Sequence, residues 1–180
     1  MSVKLAKGLR RGSSGADLSS SHRNGGRLFQ GSVVFIYLAP QALVPMEPRL
    51  EVTAVAGRGI EEDRYFHGAG YWSKSPGAIR DITLIEIEAI EALNREKNIS
   101  LAPGATRRNL VTRGVPLNHL VGSEFQVGNV RLLGTRLCEP CSYLEGLTQK
   151  GVLTGLIHRG GLRADIVAGG TIRVGDLISV

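Results

Sequence analysis

Two cysteines, Cys138 and Cys141, stand three residues apart in the stretch Gly134-Thr135-Arg136-Leu137-Cys138-Glu139-Pro140-Cys141. Cys141 follows a proline and precedes Ser142, where a short helix is expected to begin. Thiols at helix N-termini meet the positive end of the macrodipole, which favours thiolate, the form that attacks electrophiles and ligates metals. Arg136 would add to that field. Two other stretches are richer in chemical groups than a core requires: Arg107-Arg108-Asn109 and His158-Arg159-Gly160-Gly161-Leu162-Arg163-Ala164. Arginine forks match phosphate oxygens two at a time, and glycines let backbone N–H groups approach an anion. Arg107, Arg108, Arg159 and Arg163 could therefore cradle a phosphorylated small molecule, with His158 as a general acid or base.

Blander readings of the same residues stay open. A free cysteine is often an inert apolar filler. The pair could be half of a zinc site completed by His158 or His67, or a redox disulfide. A Cys141–His158–Asp165 hydrolase triad can be drawn, but triads are defined by geometry and not by spacing. Single arginines on a surface are usually solvated, and a single histidine is more often a structural hydrogen-bonder.

The elements that must position these groups are mostly short. Ser32–Leu38 is β-branched and aromatic and reads as a buried strand. Residues Ala39–Pro48 read as a loop, Leu50–Ala56 as a second strand, and Gly57–Gly70 and Tyr71–Ala78 as loops. Asp81–Ile85 is strand-like and runs into the one clear helix, Glu86–Lys97, which Asn98 ends. Six further segments follow between glycine-rich turns: Asn109–Thr112, Glu124–Val127, Val130–Leu133, Ala164–Val167, Thr171–Val174 and Leu177–Val180. A short helix is expected between Cys141 and Leu156. Many short strands at close spacing indicate a barrel or sandwich, and no strand–helix alternation argues for a parallel sheet.

The 180 residues suit one domain with a basic leader at residues 1–30. Before Gly31 fall six basic residues and one acid, leaving 16 basic and 15 acidic residues in the remainder. The net charge of +6 is thus concentrated in the leader, which weakens any nucleic-acid reading drawn from charge alone. That leader is rich in Ser, Gly and Arg and reads as a disordered tail, a misplaced start or a transit peptide. Two cysteines exclude a disulfide framework and fit a reducing, cytoplasmic setting. No run approaches the roughly 20 apolar residues that span a bilayer, so no membrane partner is expected.

Taken in order, several stretches resemble the MOSC family, named for the C-terminal domain of molybdenum cofactor sulfurase. Gly59-Ile60-Glu61-Glu62-Asp63-Arg64-Tyr65 is similar to its early Gly-x-x-x-Asp-Arg segment. Arg80–Glu86 continues the likeness, and Arg107-Arg108-Asn109-Leu110-Val111 resembles its Arg-x-Asn strand. Gly134–Cys141 resembles its cysteine segment, and His158–Ala164 with Gly170 and Gly175-Asp176 its closing pattern. The resemblance covers roughly Val33 to Val180. It implies a mostly β fold with a few helices, a β-barrel related to that of pyruvate kinase, over residues 31–180. It implies that Cys141 is the key cysteine, acting as molybdenum ligand or persulfide carrier, with His158 beside it. It implies that Arg64, Arg107, Arg108, Asn109, Thr135, Arg136, Arg159 and Arg163 hold the molybdenum cofactor, molybdopterin, through its phosphate. Cys138 is an addition that many relatives lack.

Two functions follow from that resemblance. One is molybdenum-dependent reduction of N-hydroxylated compounds, with Cys141 on the metal and electrons from an external donor protein. The other is a non-catalytic carrier of sulfur or cofactor, loaded by a sulfur-donor protein. The sequence holds no aminotransferase-like sulfur-mobilising domain and no cluster-binding domain. A structural or nucleic-acid-binding barrel using the leader is a third possibility.

Overall fold

The computed structural model describes residues 29–75 and 81–180. Nearly all of the expected leader, and Arg80 of the Arg80–Glu86 stretch, lie outside the described residues.

Strand β1 (Gly31–Leu38) shows how this sequence builds its core. Val33, Ile36 and Leu38 point inward, while Val34 and Tyr37 lean on a second cluster outside. Strict alternation would not put both Val33 and Ile36 on one face. A register shift between Val33 and Phe35 in the pairing with β6 (Leu110–Arg113) resolves this. After β2 (Glu47–Arg49), β3 (Glu51–Val55) and β4 (Gly59–Ile60) comes β5 (Ile82–Glu86), followed by β7 (Glu124–Val127), β8 (Val130–Leu137), β9 (Leu162–Ala168), β10 (Gly170–Arg173) and β11 (Leu177–Ser179).

Seven strands close into a ring in the order β11-β7-β8-β9-β5-β6-β1, with β1 also pairing β11. Closure removes the open edges that would otherwise invite association. The short β2 is added at the far end of β1, and β10-β3-β4 form a separate three-stranded sheet. The barrel interior is filled by Leu84, Leu110, Phe125, Leu132, Leu162 and Ile178, among others, all almost fully buried.

One pairing departs from the sequence reading: β5 and β6 run parallel. Parallel neighbours need a crossover, and helix α1 (Ile87–Lys97) supplies part of it, starting directly from β5. Its Ile87, Ile90 and Leu93 cover the outward faces of Ile85 and Val111, together with Leu144, Val152 and Leu156. The run Ile82–Ile85 is therefore buried on both faces, which is why it shows no polar alternation. Asn98 ends α1 in the left-handed region at φ 50°.

The remaining differences are local. The expected loops contain the start of β2 and all of β4. Strand β8 runs four residues past Leu133, through an irregularity between Gly134 and Arg136. The single helix expected after Cys141 is two: α2 (Ser142–Leu147) and α3 (Val152–Gly155). Gly151, at φ 100°, separates them, and the Glu145 carboxylate accepts the N–H groups of Gly151 and Leu153. No described helix is long and apolar enough to cross a membrane.

Candidate functional site

The chain leaves the barrel at the end of β8, passes Cys138, and reaches Cys141 at the cap of α2. Both cysteines are free, Cys138 buried and Cys141 half-exposed. Both line one cavity of about 60 Å³, together with Arg64, Tyr65, Tyr71, Trp72, Thr83, Arg107, Arg108, Glu139, Tyr143, Leu144 and Arg163. Three separate pieces of sequence thus meet there: Arg107-Arg108, the cysteine segment, and Arg163 of β9. Helix α2 has only six residues, so its dipole is small.

Four cations face this cavity, and their partners differ. Arg64 is 4% exposed and ion-paired with the buried Asp63 at 3.0 Å. Its second nitrogen donates to the Arg107 carbonyl at 3.1 Å. Arg108 is 7% exposed and donates only to carbonyls: Gly160 at 2.9 Å, Thr106 at 2.9 Å and Cys138 at 2.7 Å. It therefore ties the Arg107 turn to both the cysteine segment and the glycine pair, while its charge meets no carboxylate among the described residues. Arg163 shows no side-chain ion pair among the described residues. Arg107 donates through Nη1 to the Val44 carbonyl at 2.7 Å, and its Nη2 is buried with no partner. Burial first, and then the charge of Arg64, pull the Arg107 guanidinium below its ordinary value. Arg107 also holds a left-handed backbone at φ 61°, an outlier for a non-glycine residue.

Among the described residues Glu139 is the only carboxylate in the lining. It is turned toward His158, accepting its N–H at 2.9 Å and meeting its Nδ1 at 3.1 Å. An aromatic wall completes the cavity. Tyr71 stacks on Tyr143 at 4.0 Å, Trp72 meets Tyr71 edge-on, and the Tyr143 hydroxyl is buried without a partner. Unsatisfied buried donors are costly, and here two of them, on Arg107 and Tyr143, belong to one lining. Excess positive charge, orphaned donors and a half-exposed thiol together suit an anionic group that also accepts a soft sulfur ligand.

Not every residue singled out from the sequence reaches the cavity. Asn109 is buried behind it, its amide accepting from Thr83 and donating to Asp63 at 3.2 Å, so it braces the Arg64–Asp63 pair. Thr135 donates to the Arg163 carbonyl at 3.0 Å, and Arg136 lies opposite Arg163 in the β8–β9 register; both are exposed and outside the lining. Arg159 donates to the Gly155 carbonyl and pairs with Glu96, clamping α3 to α1. The His158 side chain is 82% exposed and reaches the cavity only through Glu139. No group of three metal-ligating side chains occurs among the described residues, so neither His158 nor His67 joins the two cysteines. The drawn triad is not formed either, because His158 Nδ1 faces Glu139 while Asp165 Oδ1 is buried alone. The aromatic wall was absent from the sequence reading. Tyr71-Trp72 falls in an expected loop, and Tyr143 within the short helix expected between Cys141 and Leu156.

A closed seven-stranded barrel with three outer helices and a cysteine–arginine cavity defines the class of protein. The MOSC domain model matches residues 65–179, and the chain belongs to that family. Among solved structures it is similar to YuaD from Bacillus subtilis, with a TM-score of 0.71 at 18% identity, covering 83% of this chain and 94% of that one. It is also similar to YiiM from Geobacillus stearothermophilus, with a TM-score of 0.63 at 15% identity, covering 83% of this chain and 75% of that one. YiiM from Escherichia coli gives a TM-score of 0.56 at 17% identity, covering 84% and 69% respectively. No curated protein matches the chain in sequence.

Proposed function

We propose that this chain binds molybdenum cofactor at the cavity beneath α2, with Cys141 as a metal ligand, and serves in the reduction of N-hydroxylated compounds. The observation that carries this reading is the imbalance of charge around the half-exposed Cys141 thiol. Four arginines line the cavity, one is ion-paired, and the only lining carboxylate is engaged by His158. Arg107 and Arg163 would hold the cofactor's phosphate, Arg108 would keep the cysteine segment in place through its three carbonyls, and Arg64 would support Arg107 through its carbonyl. When bound, the cofactor supplies the redox chemistry of oxygen-atom removal, which no side chain here can perform. The protein's own share is to anchor, to orient through Tyr71 and Tyr143, and to keep Glu139 in place through His158.

A second reading has its own support. The cavity is small, about 60 Å³. It accepts the phosphate end of a cofactor or a sulfur atom on Cys141 more readily than a whole pterin. On this reading Cys141 carries a persulfide for delivery to another protein.

Elemental analysis separates the two. The chain is produced in cells that make molybdenum cofactor, as wild type and as Cys141→Ser. Near-stoichiometric molybdenum in the wild type, lost in the variant, supports the cofactor reading. A cyanide-labile sulfur on Cys141 without molybdenum supports the carrier. Absence of both rejects both.

A further inference from the structure

Cys138 has no role in either reading, yet it lines the same cavity as Cys141 and is the chain's only other thiol. We infer that Cys138 is a resolving thiol that discharges sulfur held on Cys141. The inference rests on Cys141 being the sulfur-bearing residue, and its test reads a disulfide instead of molybdenum, so the two readings can fail separately.

The two thiols are placed unequally. Cys141 is half-exposed, partly packed against the outer apolar cluster. Cys138 is 3% exposed and its backbone is held on both sides. Its N–H donates to the Gly161 carbonyl at 2.7 Å, and its carbonyl accepts from Arg108 at 2.7 Å. A Cβ on Gly160 would meet the Cys138 carbonyl oxygen at 2.6 Å and Pro140 Cδ at 2.9 Å, so the segment is packed from beneath as well. An outer thiol that takes the modification and an inner one that waits is the arrangement a two-cysteine discharge needs. Three residues at full extension span about 10 Å, whereas a disulfide needs Cα atoms about 5.5 Å apart. The segment from Cys138 to Cys141 carries no turn, and Cys141 itself is extended at φ −144° and ψ 166°, so closing the disulfide requires Glu139-Pro140 to bend, which the diamide experiment below reads directly.

The step balances as follows. A polysulfide or persulfide donor leaves one sulfane sulfur on Cys141 as Cys141–S–SH. The Cys138 thiolate attacks the inner sulfur, Cys141 Sγ. The Cys138–Cys141 bond forms, the bond to the outer sulfur breaks, and that atom leaves as hydrosulfide with the electron pair. Cys138 and Cys141 end oxidised and the sulfane sulfur ends reduced. An external dithiol returns the disulfide to two thiols.

The test loads the full, reduced chain with inorganic polysulfide, removes the excess and follows intact mass and free sulfide. In the wild type we expect the added sulfur to disappear, hydrosulfide to appear in equal amount, and a peptide linking Cys138 to Cys141. In Cys138→Ser and Cys138→Ala the added sulfur should persist on Cys141, with sulfide release slowed on the order of tenfold or more. In Cys141→Ser no sulfur should be taken up. Diamide should also convert the untreated wild type to the same intrachain disulfide, a readout that needs no variant to fold. The inference is overturned if wild type and both Cys138 variants hold the persulfide equally long. It is equally overturned if diamide leaves both thiols open to alkylation.

Discussion

At the scale of single residues, Arg107 and Arg108 are neighbours with opposite assignments. Arg108 satisfies three carbonyls and holds the turn, the cysteine segment and the glycine pair together. Replacing it with lysine keeps the charge and loses the fork, leaving buried carbonyls without donors. Arg108→Lys should therefore cost about 2–3 kcal/mol in urea unfolding. Arg107 donates one side-chain hydrogen bond, to the Val44 carbonyl, and holds a second nitrogen buried and unmatched, beside another cation. Arg107→Gln should change stability by no more than about 1 kcal/mol while weakening the binding of inorganic pyrophosphate several-fold in calorimetry. If Arg107→Gln unfolds the chain and leaves pyrophosphate binding alone, the roles given to the two arginines are reversed. The sequence made both visible as paired arginines just ahead of an apolar strand. It could not sort them, because the sorting depends on which carbonyls surround each guanidinium.

At the scale of elements, the junction of β5 and α1 is where the fold can be probed by pH. Glu86 sits at that junction, and burial raises its pKa above the ordinary glutamate value, despite the Leu117 N–H it accepts at 2.7 Å. Asp81, at the other end of β5, is raised for the same first reason. A raised carboxyl means that the folded state binds more protons than the unfolded one. Stability then falls as pH rises from the ordinary value, about 4.3 for glutamate, through the folded one. Glu86→Gln can still accept from Leu117 and cannot ionise. Its stability relative to wild type should rise across that window, and a flat difference would refute the assignment. The same region explains Gly161. At φ 105°, a Cβ there would meet the Leu84 carbonyl oxygen at 1.9 Å, so backbone strain and a backbone clash coincide. Gly161→Ala should destabilise by about 3 kcal/mol or more by denaturant titration. Helix α1 and most strands were legible from periodicity, since their apolar residues repeat at the period of the element. The parallel β5–β6 pair was not, because one helix between two strands carries no alternating signature. The split into α2 and α3 was hidden too, as it turns on the positive φ of Gly151 and on Glu145 reaching across to cap the second helix.

At the scale of the molecule, the barrel gathers residues far apart in sequence into one cavity. Barrel architecture was readable from the rhythm of short strands and turns; closure, through β1 pairing β11, was not, because it is set by register. The site was legible in part. Order and spacing of the motif stretches pointed to Arg64, Arg107, Arg108, Arg163 and Cys141, which share the lining. His158, Arg159, Thr135 and Arg136 belonged to the same stretches but face elsewhere, since alternation along a strand and a tight turn at His158 decide direction. Charge has the same global and local sides. From Gly31 onward basic and acidic residues nearly balance, 16 against 15, so in that part of the chain a positive potential depends on placement, and four arginines line the cavity of Cys141. Alkylation of Cys141 by anionic iodoacetate and by neutral iodoacetamide measures that potential directly. The cavity account predicts that iodoacetate gains on iodoacetamide by roughly threefold or more at low salt, relative to a free thiol, with the gain collapsing at high salt and in Arg107→Gln. An iodoacetate-to-iodoacetamide ratio equal to that of a free thiol, unmoved by salt or by loss of Arg107, would contradict it.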